Sequence, residues 1–125
     1  MKLGHLNVPG DCARISPILK RIGDKWAVLI ILVLSEKPKR FNALRREIES
    51  ISQRMLTVNL RALERDGLVR RTVHPTVPPQ VEYALTELGA DLVPHVFALC
   101  EWSAHNLERI EAAQLAHDSA RAERA

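Results

Sequence analysis

Arg54, Arg61 and Arg65 follow one another at helical intervals, with Val58 filling the turn between the first two. At about 100° per residue these four positions share one face of a helix, opposite Leu56, Leu60 and Leu63. A guanidinium is permanently charged and presents its N–H groups in a planar fork, which suits phosphate, carboxylate or the edge of a guanine. The ordinary reading of such a stripe is a solvated helix face. What the helix is attached to decides between solvent, a nucleic acid and an acidic protein surface.

Other chemistry is sparse. Cys12 and Cys100 lie far apart and neither belongs to a C-x-x-C pair, so they read as free thiols of a reducing compartment. Around Cys12, Arg14 and, further along, Lys20 and Arg21 would favour a reactive thiolate, whereas Asp11 acts the other way. A free cysteine is more often a small buried core residue, which is the reading for Cys100. His5, His74, His95, His105 and His117 form no metal spacing with either cysteine, so neither metal nor cofactor is expected. There is no G-x-S-x-G, no phosphate-cradling glycine loop and no paired carboxylates, and an enzyme is not expected.

The chain has 125 residues, 46% of them hydrophobic, and a net charge of +3. That suffices for one compact core and is too short for two ordinary domains. From residue 37 to residue 71, ten Lys and Arg stand against four Asp and Glu, a net of +6 that leaves −3 elsewhere. Positive charge is concentrated around the arginine stripe, as expected of a footprint for a polyanion. The longest apolar run, residues 26–34, falls well short of the roughly 20 residues that span a bilayer. Residues 1–10 carry no signal-peptide pattern, so a cytoplasmic protein without membrane contact is expected.

The stripe lies within residues 50–69. Ser50, in a capping box with Gln53, and Ser52 compete as N-cap, and Gly67 suits the left-handed position that ends a helix. Upstream, residues 1–11 read as an arm. Residues 12–22 space Ile15, Ile18, Leu19 and Ile22 as a helix, in which Pro17 is tolerable only near the first turn. Gly23 and Asp24 mark a stop and a fresh N-cap. Residues 25–35, apolar nearly all round, then read as a central buried helix, with a buried strand as the alternative. Pro38 closes it, residues 37–40 form a basic link, and Phe41, Leu44 and Ile48 are the buried stripe of a short helix. A tight turn leads to the arginine helix, and two helices so joined have the arrangement of a helix-turn-helix.

After Gly67 the apolar period changes to two. Val69 and Val73 alternate with Arg70 and Thr72, and Val81, Tyr83 and Leu85 with Gln80, Glu82 and Ala84, across a turn holding Pro75, Pro78 and Pro79. A hairpin in this position is a wing. Thr86 then caps a helix over residues 87–113, which Pro94 kinks unless it falls in the first turns. Its stripe of Leu92, Val96, Leu99, Ser103, Leu107 and Ile110 is longer than a small domain needs for its own core, which points to packing on a second copy. Residues 114–125 read as a flexible tail. The expected fold is mainly α with a two-stranded β wing: a winged helix-turn-helix domain over residues 12–113, ending in a dimerisation helix.

Residues 12–102 carry a series of motifs in order: Cys12; Ile22-Gly23-Asp24-Lys25-Trp26; Arg40-Phe41-Asn42 with Leu44; Ile51-Ser52-Gln53-Arg54-Met55-Leu56-Thr57; Leu60-Arg61 with Leu63-Glu64; Asp66-Gly67-Leu68-Val69; Val77-Pro78-Pro79; Val81-Glu82-Tyr83; Leu85-Thr86; and Gly89. With them the chain resembles the HxlR-type bacterial transcriptional regulators, winged helix-turn-helix proteins similar to the MarR type. The resemblance implies a homodimer on a roughly palindromic double-stranded DNA operator. It makes Ser52, Gln53, Arg54 and Thr57 the major-groove readers, Arg54 suited to guanine and Gln53 to adenine. Arg61 and Arg65 would reach phosphate, Lys39, Arg40, Arg71 and His74 would position the helix, and Thr76 in the wing tip would approach the minor groove. It also makes Cys12 a candidate sensor of a small electrophile or oxidant. The competing reading is a winged-helix module for protein-protein assembly, its arginines facing an acidic partner instead of DNA.

Overall fold

The computed structural model describes residues 2–3 and 6–124, with side chains from residue 13 to residue 124. Two short strands, β1 (Lys2–Leu3) and β2 (Leu6–Asn7), pair antiparallel. Helix α1 (Val8–Ile22) starts within the stretch expected to be an arm, and Pro17 lies deep inside its 15 residues. A proline there removes one N–H from the helical ladder and its ring crowds the carbonyl four residues back, so α1 carries Pro17 well past the first turn where it was expected to be tolerable. Asp24 caps α2 (Lys25–Leu34), its Oδ1 accepting from the N–H groups of Trp26 at 2.9 Å and Ala27 at 3.2 Å. The apolar segment is a helix, not the alternative strand.

The basic link contains a strand, β3 (Lys39–Arg40), followed by α3 (Phe41–Glu47) and α4 (Gln53–Arg65). Strands β4 (Val69–His74) and β5 (Gln80–Leu85) form the wing hairpin, paired from Val69 opposite Leu85 to His74 opposite Gln80. β3 joins β5 on its other edge, Lys39 opposite Tyr83 and Arg40 opposite Glu82. The sheet is therefore three-stranded, in the order β3-β5-β4, where two strands were expected. Val73, expected on the apolar face of β4, is about half exposed because it lies toward the wing tip, beyond the core.

Helix α5 (Glu87–His105) begins at Thr86, whose Oγ1 accepts from Gly89 N–H at 3.1 Å, and has Pro94 inside it. Helix α6 (Leu107–Arg124) takes in residues that the sequence reading assigns to a tail. By contacts the chain divides into two compact units, the first ending at Val93 and the second starting at Pro94. In the first, Ala27, Ile30, Ile31 and Leu34 of α2 form one core with Leu44, Ile48, Ile51, Leu56, Leu60, Leu63, Leu68 and Val69. Each fully buried leucine contributes about 1.5–3 kcal/mol relative to exposure, and three of them, Leu56, Leu60 and Leu63, hold α4 against this core. In the second unit, Phe97, Leu99, Trp102, Leu107, Ile110 and Leu115 are exposed. No helix among the described residues is long and apolar enough to cross a membrane.

Candidate nucleic-acid interface

Both ends of α4 are locally determined. Ser52 is the N-cap, its Oγ accepting from Met55 N–H at 3.0 Å, while Ser50 closes the preceding turn with φ of 72°. The competition between the two serines is settled by that backbone: a residue in the left-handed region does not have the extended conformation of a cap. At the other end, Leu68 N–H donates to Leu63 O at 2.9 Å and Gly67 N–H to Glu64 O at 3.0 Å, with Gly67 at φ 78°. This 6→1 and 5→2 pair is the Schellman motif, and it turns the chain directly from α4 into β4.

With its leucines buried, α4 presents Gln53, Arg54, Val58, Arg61 and Arg65 to the outside. Among the described residues, none of Arg40, Arg54, Arg61, Arg65 and Arg71 takes part in an ion pair. Thr57 and Arg61 of α4 line one cleft of about 380 Å³ with Glu64, Arg71 of β4 and Tyr83 of β5, so the helix and the wing bring three of the expected contact residues together. The hydroxyls differ in what they have left to offer. Ser52 uses its oxygen for the cap and retains its proton as a donor; Thr57 spends its proton on Gln53 O at 2.9 Å and faces outward as an acceptor. Thr76 donates to Pro78 O at 2.8 Å, so its hydroxyl proton closes the wing tip.

Two expected contact residues already have neighbours within the chain that bear on their roles. Lys39 is buried, 8% exposed, with its Nζ 2.8 Å from Glu47 Oε1 and 3.5 Å from Glu36 Oε2. The Glu47 carboxylate bonded to it raises its pKa above the ordinary lysine value of 10.5. It is an internal clamp across α3, β3 and the end of α2, not a phosphate contact. His74 is half-buried, and its Nε2 lies 3.7 Å from Glu82 Oε1.

The sequence reading gave no contact role to several exposed residues near this face: Arg45, Arg46 and Arg70, and Val77, which is fully exposed at the wing tip, flanked by Thr76 and Pro78. The signal for Val77 is an apolar residue in a proline-rich turn with no strand partner. Of the residues expected at a dimer interface, Leu92 packs on the first unit's core and Val96 is 2% exposed within the single chain. Leu99, Ser103, Leu107 and Ile110 remain exposed, joined by Phe97, Trp102 and Leu115. Cys100 is half-buried on α5. The side chain of Cys12 lies outside the described residues.

The sequence profile of the HxlR-like helix-turn-helix family matches residues 21–111. An uncharacterized HTH-type transcriptional regulator of Methanothermobacter thermautotrophicus is 49% identical over 84 residues, 67% of this chain and 64% of the relative. The chain thus spans a little under two thirds of that protein. The uncharacterized HTH-type transcriptional regulator YtfH of Escherichia coli is 44% identical over 93 residues, 74% of each. Among solved structures, the redox regulator HypR in its reduced form superposes with a TM-score of 0.73 at 44% identity, covering 79% of this chain and 98% of that one. Its oxidized form superposes with a TM-score of 0.68 at 46% identity, covering 74% and 96%.

Proposed function

The chain belongs to the HxlR-like helix-turn-helix family, and on that footing we propose that it is a sequence-specific DNA-binding regulator of transcription, acting as a homodimer on a two-fold operator. The observation that carries this is the outer face of α4, where Arg54, Arg61 and Arg65 have no ion-pair partner among the described residues. Ser52, Gln53, Arg54 and Thr57, at the start of α4, read base edges, each well-made bidentate pair being worth about 1–3 kcal/mol of discrimination. Arg61, Arg65, Arg71 and Arg40 hold phosphates. The exposed apolar side chains of the second unit pack against a second copy, which sets the two α4 helices about one helical turn, near 34 Å, apart on the duplex.

A mobility shift with the DNA upstream of the chain's own gene tests the reading. The parent retards the fragment and Arg54→Ala loses that retardation. If Arg54→Ala shifts the fragment as well as the parent does, the arginine face serves an acidic protein partner instead. The signal we propose is an oxidant or electrophile acting at Cys12, in line with the redox regulator among the similar structures. Its measure is operator release on hypochlorite or quinone treatment, which Cys12→Ser abolishes if the proposal holds.

A further inference from the structure

The three-stranded sheet ends on β4, which among the described residues has no strand on its outer side. Four consecutive residues of β4, Arg70 to Val73, are exposed. The other edge of the sheet offers a further strand little to pair with, since β3 is two residues long, follows Pro38 and holds the buried Lys39.

The register decides which backbone groups β4 leaves free. Val69 stands opposite Leu85, and one step further along Thr86 N–H donates to Leu68 O at 3.1 Å. In an antiparallel ladder every second residue bonds across to the neighbouring strand, and those between point away from it. Counted from Leu68, the residues that bond to β5 are Arg70, Thr72 and His74, whereas Val69, Arg71 and Val73 turn their N–H and C=O groups outward. Val69 is buried, so Arg71 and Val73 present the open part of the edge.

The side chains narrow what fits there. Arg70 and Arg71 are successive residues of a strand and therefore lie on opposite faces of the sheet. Among the described residues neither takes part in an ion pair. A second copy's β4 would bring the same two arginines alongside, and like charges across a strand pair repel. An acidic extended chain instead meets a cation on each face, and the half-exposed Val73 gives it an apolar contact. Arg71 also lines the cleft shared with Thr57, Arg61, Glu64 and Tyr83, so a carboxylate added on that face lies toward two guanidiniums.

We propose that β4 is a docking edge for an extended acidic segment of a partner protein, which adds to the sheet as a further strand beside Arg71 and Val73. Main-chain hydrogen bonds to those two residues supply affinity, and the carboxylates facing Arg70 and Arg71 supply selectivity. The inference goes beyond the DNA reading and stands on the strand alone. Where Arg71 holds a phosphate, segment and duplex compete for it.

The test follows a fluorescein-labelled peptide of repeating threonine-glutamate-glutamate-valine by anisotropy against the full chain, with no DNA present. This peptide binds, and the same repeat with lysine in place of glutamate does not. The glutamate repeat with every amide N-methylated, which keeps its charges and has no N–H to donate, does not bind either. Val73→Pro removes an outward N–H while leaving the ladder to β5 its own bonds, and weakens binding about tenfold. Arg70→Gln/Arg71→Gln weakens it and removes most of its sensitivity to salt. Equal binding of the methylated peptide overturns the inference, since an acidic chain held by charge alone, on the arginines of α4 for example, has no need of its amides. Parent-like binding by folded Val73→Pro overturns it as well; should that variant unfold, the methylated peptide on the parent decides. If the glutamate peptide does not bind at all, the inference falls and the DNA reading of α4 stands.

Discussion

Arg21 in α1 donates its Nε–H to Asp66 Oδ2 at 2.8 Å, joining the first long helix to the C-cap of α4. The two side chains are about a third exposed, 34% and 27%, so solvent screens the pair and its worth is on the order of 0.5–1 kcal/mol. A double-mutant cycle of Arg21→Ala and Asp66→Asn in urea unfolding should return a coupling of about that size, shrinking as salt is added. Full additivity of the two substitutions would mean that the contact contributes nothing to holding α4.

Two glycines beside that pair differ in what they tolerate. A Cβ on Gly89 would stand 2.1 Å from Leu68 O, a carbonyl that also accepts from Thr86 N–H at 3.1 Å. The backbone must move, and Gly89→Ala should cost on the order of 1–3 kcal/mol or more. At Gly67 a Cβ would meet only Leu88 Cδ2 in ordinary contact at 3.9 Å, but the φ of 78° makes Gly67→Ala cost about 1–2 kcal/mol and Gly67→Asn less. Thermal unfolding checks the order, which is wrong if Gly89→Ala proves the mildest of the three.

The arginines of α4 should separate by position. Arg54→Ala is expected to weaken operator binding about 5- to 150-fold, corresponding to about 1–3 kcal/mol, with little effect on random duplex. Arg61→Ala and Arg65→Ala should weaken both alike and reduce the salt slope by about 0.9 each per subunit. Titrations on both probes at several salt concentrations distinguish the two behaviours. A uniform loss for Arg54→Ala would remove it from the base-reading set.

Lys39 gives a pH signature. Its folded pKa is raised by the hydrogen bond to Glu47 and by the charges of Glu47 and Glu36, with burial opposing. A raised lysine pKa stabilises the fold below the unfolded value of 10.5, and that contribution is lost as pH climbs through the folded value. Lys39→Gln should therefore lower the unfolding midpoint at neutral pH, with the gap from the parent closing only above pH 10.5. The same variant should leave the slope of DNA binding against salt unchanged. A flattened slope would return Lys39 to the phosphate contacts.

The second unit's exposed apolar side chains are expected to be covered by another copy. Trp102→Glu with Leu107→Glu, at sites 59% and 52% exposed, would place charges in that interface without disturbing either chain's own core. Sedimentation velocity should show the parent as a dimer and the variant as a monomer. A monomeric parent would end the two-fold operator geometry.

Much of the fold was legible because its signals are local. Asp24, Ser52, Gly67 and Thr86 act on backbone groups within a few residues of themselves, and the period of α4 registers the side that faces the core, whereas the alternation of β4 does not, since Val73 is exposed. The arginine face of α4 is of this kind, since burying Leu56, Leu60 and Leu63 leaves Arg54, Arg61 and Arg65 outside. Tertiary structure alone decided the rest. A two-residue strand such as β3 has no period to read, and it exists because β5 offers an unpaired edge. Whether a lysine clamps the interior or meets a phosphate depends on where Glu36 and Glu47 come to lie, and Lys39 and Arg40, neighbours in sequence, part company on that ground. Spacing along a chain records which face a residue occupies, whereas its partner is set by segments distant in sequence.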